Sequence, residues 1–190
     1  MLCYNTNTKM KLFLSLLLLI SVLFLFPIKS FAQSSAATPS ATTIDYSLPY
    51  PGILPDNPLY FMKALRDRVI SIFISDPLKK AEFNLLMSDV RLNAAIYLFA
   101  KGEGKYSLAE TTVSKAENYF YNALVKLSEA KQQGMGINDL TAKLITASKK
   151  HQQLIRELEN KTTGSIRGGL MDEEERAKSF EKKAILFKSN

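Results

Sequence analysis

From Leu78 to Leu158 the chain repeats one pattern: large apolar residues and alanines recur at alternating intervals of three and four. That spacing lines one face of an α-helix and suits neither face of a strand. The first such segment carries Leu78, Leu85, Leu92 and Phe99 with small Ala81, Ser88 and Ala95 between them, a narrow seam at heptad spacing. Small residues between large ones let a neighbouring helix approach closely. The next carries Ala109, Val113, Ala116, Phe120, Ala123, Leu127 and Ala130. The third carries Leu140, Leu144, Ala147, His151, Leu154 and Leu158. Short connections between long helices favour antiparallel neighbours. No strand pattern of convincing length occurs and no internal repeat is visible. The expected fold is therefore all-α: an up-and-down antiparallel, coiled-coil-like bundle of about four long helices plus a C-terminal helix.

Helix boundaries follow from local chemistry. Asn57 is expected as an N-cap with Pro58 in the first helical position, where a missing N–H costs nothing, and that helix runs to about Ser75. Asp76-Pro77 repeats the device for a helix reaching about Lys101, ended by Gly102 and Gly104. Ser107 and Glu110 have the spacing of a capping box, and Gly134 and Gly136 close the helix that follows. A helix over Asn138–Asn160 comes next. Thr162-Thr163-Gly164-Ser165 and Gly168-Gly169 then predict a loop or hinge. A last helix is expected from about Asp172, with the acids Asp172 to Glu175 matching its positive N-terminus and Ala177, Phe180, Ala184 and Phe187 forming a weak stripe.

The N-terminus reads as targeting. Lys9 and Lys11 precede an apolar run of 15 residues from Leu12 to Phe26; Pro27 then breaks it, and Ser30-Phe31-Ala32 offers small residues ahead of Gln33. The run is shorter than the roughly 20 residues of a spanning helix, which favours cleavage over retention as an anchor. Residues 1–32 are thus a signal peptide or retained anchor, 33–47 a Ser/Ala/Thr-rich linker, 48–160 the bundle, and 161–190 a hinge with its helix. The expected location is outside the cytoplasmic membrane, secreted or in the cell envelope. Loss of Lys9, Lys11 and Lys29 with the leader lowers the formal charge from +7 to +4. Such dispersed charge points to a solvated surface, or to an anionic envelope surface or envelope protein as partner, and away from nucleic acid.

Catalytic material is scarce. The one cysteine, Cys3, precedes the leader's apolar run, so the exported chain has no thiol, disulfide or cysteine metal site. His151 lies on an apolar stripe without a second histidine or Glu-x-x-His spacing, so it reads as a half-buried histidine hydrogen-bonded within the bundle. Gly102-Glu103-Gly104 follows a helix and is a turn, not a phosphate loop. Consecutive acids at Asp172–Glu175 fan around a helix axis and do not converge on an ion. Asn160-Lys161-Thr162 has the three-residue pattern of a glycosylation acceptor, a weak match. No catalytic residue, cofactor or metal is expected, and the chain reads as a non-enzymatic, partner-binding or envelope-supporting protein. A chaperone-like protein shielding apolar surfaces is the alternative; an enzyme built around His151 is a distant third.

The remaining distinctive stretch runs from Leu48 to Lys63 and holds four of the seven prolines. Structurally, Pro51-Gly52 makes a turn and Leu54, Leu59 and Tyr60 anchor an extended arm on the bundle. Functionally, it is a proline-rich docking strip. Tyr50, Pro51, Pro55 and Tyr60, with Tyr119 and Tyr121 flanking Phe120, are the candidate partner-binding residues; a broadened buried face against a further helix accounts equally well for Tyr119 and Tyr121.

Leu48-Pro49-Tyr50-Pro51-Gly52-Ile53-Leu54-Pro55, Pro58-Leu59-Tyr60-Phe61-Met62-Lys63 and Arg66-Asp67-Arg68 carry a resemblance. It continues through Asp76-Pro77-Leu78-Lys79-Lys80-Ala81-Glu82, Asp89-Val90-Arg91-Leu92, Lys115-Ala116-Glu117 and Lys150-His151-Gln152. With these blocks the chain resembles the exported bacterial helical proteins grouped as domain of unknown function 5667, over roughly Leu48 to Leu158. The resemblance implies export and an all-helical fold, and brings no catalytic residues with it.

Overall fold

The computed structural model describes residues 44–189, which belong to one compact unit. The expected leader and most of the linker lie outside the described residues. Five α-helices follow in order: α1 Tyr60–Phe73, α2 Pro77–Phe99, α3 Tyr106–Gln132, α4 Asn138–Glu159 and α5 Gly164–Ser189. The described residues contain no strand.

The bundle consists of two antiparallel hairpins laid side by side. α2 pairs with α3, and α4 pairs with α5. Between the hairpins α3 runs parallel to α5, with contacts that advance together from Asn118–Arg176 to Lys131–Phe187. α2 meets α4 over a shorter length. Consecutive helices α3 and α4 are thus antiparallel but diagonal, meeting through side chains across the core. The five residues between them leave room for this because Gly134 takes φ 76 and closes α3 with two bonds, Met135 N–H to Ala130 O at 3.0 Å and Gly134 N–H to Lys131 O at 2.9 Å.

Most of the stripe residues read from the sequence are buried, while Leu78, Leu154 and Phe187 are partly so. Leu85, Leu92, Ala95, Val113, Phe120, Leu127, Leu144 and Ala147 are all nearly or fully inaccessible. They form two apolar layers. One centres on Leu85, Phe120, Leu127, Leu144 and Phe180. The other centres on Leu92, Leu98, Val113, Ile155 and Leu170.

Several boundaries differ from expectation. α1 opens at Tyr60, while Asn57 Oδ1 accepts the Leu59 N–H at 2.8 Å and closes the turn that contains Pro58. α3 opens at Tyr106 out of a single 3₁₀ turn, so Ser107 lies inside the helix and there is no capping box. Stacking of Phe99 on Tyr106, with ring centroids 3.9 Å apart, sets where that hairpin turns. Asp76, in contrast, caps α2 as expected, accepting the Lys79 N–H at 2.8 Å.

The largest correction concerns the tail. α5 starts at Gly164 and passes through Gly168-Gly169 without a hinge. A Cβ on Gly169 would overlap the Glu110 carboxylate, so the glycine leaves room for that side chain between α3 and α5, and Leu170 beside it is fully buried. Asp172–Glu175 consequently sit within the helix and do not begin it. Glu173 bonds Arg176 at 2.7 Å, and Glu174 accepts from Arg156 and Lys178. Packing of Leu170, Ala177, Phe180 and Ala184 outweighs the helix-breaking tendency of two glycines.

Candidate functional site

A charged centre lies between the two apolar layers. His151 on α4 is fully inaccessible, and each ring nitrogen faces a carboxylate. Nδ1 is 2.7 Å from Glu117 Oε1 on α3, and Nε2 is 3.0 Å from Asp89 Oδ1 on α2. Two carboxylate acceptors require a donor on both nitrogens, which is the imidazolium. Burial alone pushes the imidazole pKa down. The Glu117 charge, the hydrogen bonds to Asp89 and Glu117 and the Asp89 charge together outweigh burial and raise it to about 9. The other oxygen of Asp89 accepts a bond from the Tyr46 hydroxyl at 2.5 Å. Burial, then the Asp89 charge, raises the Tyr46 pKa. Nearby, Ser88 Oγ donates to the Ala116 carbonyl at 2.8 Å, holding α2 against α3. Phe120 lies edge-on to the imidazole with centroids 5.3 Å apart. One cation thus ties α2, α3, α4 and, through Tyr46, the arm.

Glu117 and Asp89 are what the sequence reading missed. They stand 34 and 62 residues from His151, on other helices. A signal was present: each is a carboxylate beside a buried small residue of its own stripe, Ala116 and Ser88, at the same depth as the histidine. Three of the short blocks that carry the family resemblance, those containing Asp89, Glu117 and His151, meet at this point. Both nitrogens are occupied and no surface of the ring is open. Among the described residues no group of three His, Cys, Asp or Glu is arranged to hold a metal ion.

The arm is bound by polar contacts. Asn93 Nδ2 donates to the Pro49 carbonyl at 2.8 Å, Lys63 Nζ to the Pro51 carbonyl, and Asp56 pairs with Lys101 at 2.7 Å. Leu48 and Leu54 pack on the core, whereas Leu59, expected to anchor the arm, is 58% exposed. Gly52 makes the turn at φ 66.

The six candidate contact residues do not form one surface. Tyr50 is largely exposed and meets Tyr97 edge-on at 6.2 Å. Pro51 is buried and Pro55 half-buried. Tyr60 is half-buried on the inner side of α1, where burial raises its pKa and the charges of Arg91, Asp67 and Tyr119 are felt. Tyr119 is half-buried under the Arg91 guanidinium, 4.2 Å above its ring. Tyr121 points elsewhere, into a groove of about 370 Å³ with Leu124, Lys183 and Phe187.

α1 itself is turned inside out. At about 100° per residue, Tyr60, Ala64, Asp67 and Ser71 share the side facing the protein. Asp67 is the one buried residue of the helix, bonded to Arg66 at 2.8 Å. The opposite arc of about 120° collects Phe61, Ile72, Leu65, Val69, Met62 and Phe73, with Arg68 on one edge and Arg66 on the other. All six apolar side chains are exposed, Phe61 at 62% and Phe73 at 81%. One polar contact to the bundle is Lys80 Nζ donating to the Ser71 carbonyl.

The family model for domain of unknown function DUF5667 matches residues 52–165. The chain belongs to this family. The match spans α1 through α4 and contains Asp89, Glu117 and His151. No curated protein and no solved structure matches the chain.

Proposed function

We propose that this member of the DUF5667 family is a non-catalytic helical module that works outside the cytoplasmic membrane and attaches to a component of the cell envelope through α1. The observation that carries this reading is the orientation of α1. A helix that buries its aspartate and exposes seven large apolar residues, six of them on one arc and Ile70 beside it, is stable in water only at a cost, since exposed patches of that kind mark contact sites. The arm and the charged centre supply a rigid support, because Tyr46 and Asp89 fasten the entry point of the linker to three helices. A non-enzymatic role is supported by the state of His151: catalysis needs a group that can reach a substrate, and this ring has no open edge. Shielding of unfolded clients is less well supported, because the stripes of α2 to α5 are consumed in the two core layers.

The test is photo-crosslinking in cells. The full chain carries a benzophenone amino acid in place of Leu65 on α1, or in place of the exposed Lys182 on α5 as control. Adducts to envelope material from position 65 and none from position 182 are expected. Equal labelling from both positions, or none from either, refutes attachment through α1. Processing at Ala32 is read from the N-terminus of the recovered protein.

A further inference from the structure

Resting on that attachment reading, we propose that the occupant of the α1 face is the interfacial layer of an anionic lipid bilayer. In this arrangement the apolar arc seats among acyl-chain ends while Arg66 and Arg68 pair with headgroup phosphates. Charge complementarity selects this occupant. Both exposed charges along α1 are arginines, one on each edge of the apolar arc; its only acid, Asp67, is turned inward and buried, where it takes two bonds from Arg66 and leaves the other Arg66 donors and Arg68 for phosphate. A helix with large apolar residues on one arc and basic residues at the edges lies flat in a membrane interface. Long arginine stems let the guanidinium reach the headgroups while the helix sinks.

Two other occupants are disfavoured by the same charges. A second copy docked α1 to α1 brings Arg66 and Arg68 against the same arginines, and the one acid of the helix, Asp67, is buried and already held by its own Arg66. The chain's own apolar stretch Leu12–Phe26 is bordered by Lys9, Lys11 and Lys29 and offers no acid either. Lipid phosphate supplies the missing negative charge. The surface is also short, a helix of 14 residues, which fits lying on a membrane and not crossing one. Among the described residues no helix is long and apolar enough to cross.

A local probe separates α1 from any contribution of the N-terminal segment. In the full chain with Cys3→Ser, a single cysteine at Leu65→Cys or Lys182→Cys carries an environment-sensitive fluorophore. Vesicles contain either phosphatidylcholine alone or phosphatidylcholine with phosphatidylglycerol. The position-65 probe should shift to the blue and be quenched by nitroxide-labelled lipid only with the anionic vesicles, and the response should fade in high salt. The position-182 probe should stay silent. Adding Arg66→Gln and Arg68→Gln should weaken vesicle binding at position 65 on the order of 30-fold, from the usual contribution of each basic residue near an anionic surface. An equal response to neutral vesicles, no response to either, or a probe already shielded in buffer by a second copy or by the leader each overturns the lipid assignment. Crosslinks from position 65 to an envelope protein would then leave attachment standing; without them both ideas fall.

Discussion

Replacing His151 by Gln tests the charged centre, and pH does the same without mutation. The folded imidazolium has a pKa of about 9, against about 6.5 for an unfolded histidine. A group whose pKa is raised by folding stabilises the fold fully below its unfolded value and loses that stabilisation as pH climbs through the folded one. The contribution is about 3 kcal/mol at pH 6, falls by about 2 kcal/mol between pH 7 and 9, and is nearly gone by pH 10. With a urea m-value of about 1–3 kcal/mol/M, the unfolding midpoint should drop by about 1 M across pH 7 to 9. Groups facing the centre come from every side: Asp89 on α2, Glu117 on α3, Tyr46 on the arm and, through its charge on Glu117, Glu173 on α5. Tyr46 is raised by burial, so measurements should stop at about pH 9.5, below the range in which an unfolded tyrosine titrates; Lys63, lowered by burial, works with the opposite sign and is replaced by Gln in a control. His151→Gln leaves two buried carboxylates with one amide donor. It should cost about 3–5 kcal/mol at pH 7 and abolish the slope between pH 7 and 9. A wild-type midpoint that is flat over that range, or a Gln variant that keeps the same slope, refutes the charge assignment.

Removing the Tyr46 hydroxyl with Tyr46→Phe deletes one bond to a charged carboxylate and should cost about 1.5–3 kcal/mol, with faster hydrogen exchange in residues 46–54 as the readout. Gly168→Ala meets nothing within 4 Å in a helix interior, so it should stabilise by about 0.5–1 kcal/mol in thermal unfolding. Gly134→Ala forces a side chain into φ 76 and should cost about 1–2 kcal/mol in the same measurement. Phe120→Ala empties the contact between α3, α4 and α5 and should cost about 3–5 kcal/mol by urea unfolding.

What the sequence made legible was periodic. Leu85, Ala116, Phe120 and Leu144 announce their burial because a 3.6-residue turn returns each to the same face. The tail was not legible, since Gly168-Gly169 has the local signature of a hinge and only the neighbouring α3 makes it a close-packing site. The charged centre was half legible. His151 stood out on its stripe, but its partners lie on two other helices and no spacing rule joins them. α1 escapes the pattern for a different reason: it offers both an apolar and a polar face, and the fold buries Asp67 and leaves Phe61, Leu65 and Phe73 outside. Periodicity tells which residues share a face. It does not tell which face turns inward when two compete.

That competition bears on how the molecule is put together. A buried cation between two carboxylates is a weak source of net stability, because desolvation offsets much of the attraction. Its stronger effect is selective. Sliding α4 by one turn, about 5.4 Å, would leave His151 among apolar side chains and strand Asp89 and Glu117 without a cation. The apolar layers on either side are rich in Leu and Ala and would tolerate such a slip far better. The centre therefore fixes the register of three helices. Through Tyr46 it also fixes where the arm begins, and the arm leads directly into α1 at Tyr60. Loss of the centre should for this reason disturb α1 before it unfolds the bundle. In His151→Gln at pH 7, cleavage by trypsin at Arg66 and Arg68 should accelerate more than cleavage at Lys182 on α5. Equal acceleration at all three sites would mean that the centre holds the bundle alone and has no hold on the arm.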